Sequence, residues 1–115
     1  MSIRVFYVDD EAELCELFEE AFSGPDVIIE TFTSPLKALE KILENPPNLL
    51  FTDYRMPEIS GVELGQQCPE TLEKYLITGE NNLVIDIKFE AIISKPMNSE
   101  LVGKIILNKQ NKQTV

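Results

Sequence analysis

Five positions carry the chemical potential of this chain: the pair Asp9-Asp10, then Asp53, Thr78 and Lys95. The sequence holds no histidine, which excludes Ser-His-Asp and Cys-His relays, histidine-ligated zinc and a phosphohistidine of its own. Carboxylates, a hydroxyl and an ammonium remain. Three carboxylates brought together repel and raise one another's pKa unless a cation joins them. Mg2+ meets that need, because it takes oxygen ligands and is held by one or two carboxylates together with phosphate and water. A carboxylate can also attack phosphorus and become an aspartyl-phosphate, provided that cations and hydrogen-bond donors meet the charge on the transferring group.

These residues lie far apart in the chain, so they act together only if the fold gathers them. Each sits where an apolar run stops. Ile3 to Val8 is a short β-branched and aromatic run ending at Asp9-Asp10, read as a buried strand. Leu14, Leu17, Phe18, Ala21 and Phe22 then repeat at helical spacing, with Asp10 and Glu13 at capping-box distance and Gly24-Pro25 as the stop. Val27 to Phe32 reads as a second strand. Ser34-Pro35 opens a second helix as N-cap and first helical residue, with Leu36, Leu39, Ile42 and Leu43 on its inner face. Leu49 to Thr52 is an uninterrupted apolar run reaching Asp53, as expected of a strand covered on both faces. A short third helix is expected from about Ile59 to Cys68. Tyr75 to Ile77 and Ala91 to Ser94 supply the last two strands, followed by Thr78-Gly79 and Lys95-Pro96. Asn98 caps a final helix whose inner stripe is Leu101, Val102, Ile105 and Ile106, with Met97 and Val102 as a hydrophobic staple.

Strand–helix alternation of this kind predicts an α/β fold, a doubly wound parallel sheet with helices on both faces. Right-handed crossovers place all strand C-termini along one edge, where ligands of open α/β sheets bind. On that edge Asp53, ending the middle strand, is the best nucleophile. Asp10, aided by Asp9, holds Mg2+. Lys95 neutralises a phosphoryl oxygen, Thr78 donates a hydrogen bond to it, and Gly79 leaves room for the group.

Composition narrows the field. At 115 residues, 43% hydrophobic and 26% charged, the chain is read as one globular domain over 1–115, with Asn108 to Val115 polar enough to fray and no output domain expected. A net charge of -10 argues against a nucleic-acid surface and an anionic membrane face. Cys15 and Cys68 form no metal or redox motif, and are read as buried thiols in a reducing cytoplasm. The N-terminus reaches Asp9 too soon for a signal peptide, and no apolar stretch is long enough to span a membrane.

The residues resemble the receiver domain of two-component response regulators over nearly the whole length. The matching elements are Val8-Asp9-Asp10, the stretch Asp53-Tyr54-Arg55-Met56-Pro57-Glu58-Ile59-Ser60-Gly61, Thr78-Gly79 and Lys95-Pro96, in order. The resemblance implies a five-stranded sheet in the order 2-1-3-4-5. It implies that Asp53 takes a phosphoryl group from a sensor histidine kinase or phosphotransfer protein and signals to a further protein by contact. It also implies Mg2+ on Asp10, Asp53 and the backbone carbonyl of Arg55, and a cis Lys95–Pro96 bond. No activity on external substrates is expected: aspartyl-phosphate hydrolases need a second Asp two positions after the nucleophile, where this chain has Arg55.

Each residue also has a plainer reading. Asp10 can serve as a helix cap, Asp53 as a turn residue, Thr78 as a strand residue and Lys95 as a solvated charge. Glu11, Glu13, Glu16, Glu19 and Glu20 read as a solvated face, or as a surface that selects a basic partner. A receiver-like module that works without phosphorylation is the rival function. Three departures from the family bear on it. The spans from Asp53 to Thr78 and from Thr78 to Lys95 are short, which trims the third and fourth helices. Between Glu80 and Glu90, Leu83, Val84 and Ile87 fit a helical turn, while Val84 to Ile87 also alternates like a strand. Ile92 stands where the family usually has an aromatic switch residue, and a smaller aliphatic does not repeat the rotamer exchange that couples it to Thr78, with Phe89 as a candidate substitute. Arg55 and Glu80, two positions after Asp53 and Thr78, are expected to pair across the site and slow hydrolysis.

Overall fold

The computed structural model describes residues 2–80 and 89–113. Five strands alternate with helices: β1 (Ile3–Val8), α1 (Ala12–Phe22), β2 (Val27–Phe32), α2 (Pro35–Glu44), β3 (Leu49–Asp53), α3 (Gly61–Gln67), β4 (Glu73–Thr78), β5 (Ala91–Ser94) and α4 (Ser99–Gln113). The strands form one sheet in the order β2-β1-β3-β4-β5, and every pairing is parallel. This is the doubly wound architecture that the alternation predicts.

Strand periodicity divides the core in two. Ile3, Val5 and Tyr7 face one side with Phe51 and Ile77, covered by Cys15 and Phe18 of α1 and by Val102 and Ile106 of α4. Phe6, Val8 and Leu50 face the other, covered by Ala38, Leu39 and Ile42 of α2 and by Leu64 of α3. The middle strand β3 is buried at all five positions, which explains its unbroken apolar run. Among the described residues, no helix is long and apolar enough to cross a membrane.

Several local expectations change in the structure. At α1 the N-cap is Glu11, without a side-chain cap bond. The Asp10–Glu13 capping box does not form, because the helix starts one residue later than that spacing requires and leaves Asp10 outside the cap position; the Glu11 N–H is held by Asp9 Oδ1 at 3.0 Å. A capping box forms instead at α3, between Ser60 and Glu63. Ser34 caps α2 through the Lys37 N–H (3.2 Å), and Asn98 caps α4 through the Leu101 N–H (3.1 Å), both as expected. The helix faces are narrower than their stripes suggest. Leu17, Leu36, Leu43 and Leu101 are exposed, since each helix seats one row of side chains on the sheet and leaves the flanking positions in solvent.

The polar run from Asn108, expected to fray, continues α4 to Gln113. Lys109 Nζ lies 3.1 Å from Glu73 Oε1 and pins these last turns to the start of β4. The third helix is indeed short, at seven residues. The expectations for Leu83, Val84 and Ile87, and with them the fourth crossover helix, lie outside the described residues.

Candidate functional site

Register places the acids. Val8 of β1 pairs with Thr52 of β3, so the next residues, Asp9 and Asp53, leave the sheet side by side. Asp10 follows at the turn into α1. A carboxylate oxygen from each of Asp9, Asp10 and Asp53 lies within 4.8 Å of the others. Asp9 and Asp53 are buried while Asp10 is exposed, so the cluster opens to solvent on the Asp10 side. β4 and β5 deliver the other two groups: Thr78 pairs with Ser94, and the Lys95 N–H donates to the Thr78 carbonyl at 3.0 Å. The Lys95–Pro96 bond is cis.

Lys95 Nζ stands 2.9 Å from Asp53 Oδ1, and the Tyr54 N–H donates to the same oxygen at 3.0 Å. Thr78 is buried, and its hydroxyl oxygen accepts the Glu80 N–H at 3.0 Å, leaving its own proton to donate. Asp9 is fully buried. Its Oδ2 accepts the Tyr7 hydroxyl at 2.8 Å and its Oδ1 the Glu11 N–H. Gly61 shows why the long motif ends in glycine. A Cβ there would lie 2.0 Å from the Asp53 carbonyl oxygen and 2.9 Å from a Leu76 methyl, so any side chain would push α3 away from the loop after β3.

Electrostatics mark the cluster as short of positive charge. Burial pushes the Asp9 carboxyl above its ordinary value, and Asp53 adds to this, against the lowering effect of the Glu11 and Tyr7 hydrogen bonds and of Lys95. Burial alone would lower the Lys95 ammonium, but the hydrogen bond and charge of Asp53, with Asp9 and Glu11, outweigh it and raise it. Lys95 is therefore a permanent cation at neutral pH. Three acids against one ammonium make an all-oxygen, electron-rich set that fits a hard divalent cation and gives no soft ligand to zinc. Burial raises both thiols, Cys68 to about 11, so neither is a nucleophile at neutral pH.

Asp9, Asp10, Asp53, Thr78 and Lys95 are thus gathered on one sheet edge. Arg55 and Glu80, two positions after Asp53 and Thr78, form the expected ion pair, both partly or largely in solvent. Ile92 stands apart, 49% exposed on the edge strand, and Phe89 is half-buried just before β5. Sequence reasoning missed the part played by Tyr7, which it treated as core. The signal was present, since residues 7 and 9 share a face along a strand. Glu58 was also missed beyond its place in the motif. At φ 73° it holds a left-handed conformation, and its Oε1 accepts the Ser34 hydroxyl at 2.8 Å, tying the loop after β3 to the start of α2.

Comparison with known proteins agrees with this geometry. A sequence profile of the response regulator receiver domain matches residues 5–106. An uncharacterized response regulatory protein of Vibrio cholerae is 32% identical, covering 97% of this chain and 51% of that protein. The response regulator receiver protein CpdR of Brucella abortus is 27% identical, over 89% of this chain and 92% of that one. The chain therefore spans about half of the first relative and nearly all of the second. Among solved structures, a putative response regulator from Chloroflexus aurantiacus superposes with a TM-score of 0.81 at 22% identity, over 95% of this chain and 98% of that one. The chemotaxis protein CheY4 of Vibrio cholerae does so at 0.77 and 18%, over 94% and 98%. The chain belongs to the receiver domains of two-component response regulators.

Proposed function

We propose that Asp53 accepts a phosphoryl group from the phosphohistidine of a sensor histidine kinase or phosphotransfer protein, and that the phosphorylated chain signals by contact with a downstream protein. The observation that carries this reading is the placement of Lys95 Nζ 2.9 Å from Asp53 Oδ1, beside a three-carboxylate cluster. An Asp53 carboxylate oxygen bonds to phosphorus as the phosphorus–nitrogen bond breaks, and the electron pair leaves with the donor imidazole. Asp10, Asp53 and the Arg55 backbone carbonyl would hold Mg2+, with Asp9 beside them. When bound, the ion offsets negative charge on the phosphoryl oxygens. Lys95 neutralises a further oxygen, and Thr78 donates its hydroxyl proton to another. Water later attacks phosphorus, the bond from phosphorus to the Asp53 oxygen breaks, and inorganic phosphate leaves as the carboxylate is restored. The Arg55–Glu80 pair slows that attack.

The chain so read catalyses only its own phosphorylation and dephosphorylation. The donor's approach is along α1. There exposed Leu17, rimmed by Glu13, Glu16 and Glu20, borders a cleft of about 420 Å³ that reaches Lys95, Pro96 and Met97. That surface suits a helix with an apolar ridge and basic flanks. One observation favours a second reading, a module that works without phosphorylation. Ile92 is exposed on the edge strand, where an aliphatic side chain supplies no aromatic switch.

Incubation with Mg2+ and a small-molecule phosphodonor, followed by intact-mass measurement, tests the proposal. Gain of one phosphoryl group, lost in Asp53→Asn, is the expected result. No uptake, under conditions where a control receiver reacts, would support the phosphorylation-independent module.

A further inference from the structure

Tyr7 is a buried tyrosine in a strand whose other buried side chains are all apolar, with 4% of its surface exposed. Its ring stacks on Phe18, with centroids 4.2 Å apart and planes 12° from parallel. Packing therefore fixes where its hydroxyl points. That hydroxyl meets Asp9 Oδ2 at 2.8 Å, while the Glu11 N–H takes Oδ1 at 3.0 Å. The Cys15 thiol also donates to the Asp9 backbone carbonyl at 3.3 Å. Asp9 is thus held at both carboxylate oxygens and at its main chain, although it is fully buried next to two like charges.

A phenylalanine would fill the same space and keep the stack. The hydroxyl is needed only for what it touches, and it touches one member of the acidic cluster. We propose that Tyr7 is a positioning residue for the divalent-cation site: its hydroxyl holds the Asp9 carboxylate toward Asp10 and Asp53, so that the cluster stays convergent before a cation arrives. This rests on the reading of the cluster as an Mg2+ site. Outer partners of this kind orient ligands, and their loss costs about 10–100-fold in metal affinity. A purely structural hydroxyl, satisfied by the nearest acceptor, would affect only stability.

The test is the Mg2+ dissociation constant of the whole chain, measured by calorimetry without any phosphodonor. Tyr7→Phe should weaken Mg2+ binding about tenfold. The same change in an Asp9→Ala background should add nothing, because the effect runs through Asp9. Unchanged affinity in Tyr7→Phe would overturn the assignment, and so would an equal loss in the Asp9→Ala background. A wild-type chain that binds no Mg2+ would overturn the parent reading together with this one. A measurement on the unmutated protein removes dependence on folded variants. With 13C-labelled tyrosine, Mg2+ should shift the Tyr7 Cζ resonance and leave that of Tyr75, whose hydroxyl donates to Glu73 at 2.7 Å. A Tyr7 resonance indifferent to Mg2+ would also overturn the assignment.

Discussion

The two ends of the sheet treat charge in opposite ways. At the amino end, Glu73 and Arg4 are both matched. Glu73 accepts from Tyr75 at 2.7 Å and pairs with Lys109 at 3.1 Å. Arg4 donates to the carbonyls of Asn45 and Pro46, both at 3.1 Å, and reaches Glu30 at 3.9 Å. At the carboxyl end, Asp9, Asp10 and Asp53 converge on a single ammonium, Lys95. The same scaffold therefore spends its polar groups on cohesion at one end and leaves an uncompensated negative charge at the other. Repulsion of this kind is what a bound divalent cation would relieve.

The contrast can be broken in four ways. Lys95→Ala removes the ammonium on which the three acids converge and should slow phosphoryl uptake about 100-fold, read by intact mass over time. A change below tenfold would mean that Lys95 is a bystander. Next in size, Glu73→Ala unpairs Tyr75 and Lys109 and should cost about 1–2 kcal/mol in denaturant unfolding, with Mg2+ affinity unchanged. An altered affinity would show that the two ends are coupled.

Asp9→Asn tests the sign of the buried charge. The folded state holds the Asp9 proton above the ordinary value of 3.8, so the metal-free chain loses stability as pH rises from there through the folded pKa. The substitution removes that loss and should raise the metal-free melting temperature by a few degrees at neutral pH. The gain should vanish in acid below about pH 3.8, where Asp9 is protonated in both states. A lower melting temperature at neutral pH would contradict the charge account. The smallest effect is expected from Arg55→Ala. Its ion pair with Glu80 is largely solvated, the Arg55 side chain being 77% exposed, so the phosphorylated chain should lose its phosphate about two- to threefold faster. An unchanged lifetime would remove Arg55 from the account.

The carboxyl end was the legible one. Each apolar run stops at an acid, a threonine or a lysine, and parallel connection carries all such stops to one edge, so Asp9, Asp53, Thr78 and Lys95 could be assembled without coordinates. The amino end was obscured by its charges. Glu73 and Lys74 lie outside the apolar run Tyr75 to Ile77 that predicts β4, yet Lys74 is buried with its ammonium 3.4 Å from the Leu72 carbonyl, and Glu73 is paired across to α4. That long-range pairing also turned an expected frayed tail into helix. Tyr7 was hidden for a different reason. Period-two patterning records that a side chain faces the core, but not that a hydroxyl at its end reaches a carboxylate two residues on.

The central claim is that one divalent cation binds among Asp9, Asp10 and Asp53, rather than anywhere on an acidic surface. Paramagnetic broadening of backbone amide signals by substoichiometric Mn2+, displaced by Mg2+, tests it directly. Broadening is predicted at residues 9–11, 53–55 and 78–80, with the amino end of the sheet untouched. Broadening centred on Glu13, Glu16 and Glu20 of α1 would contradict the account.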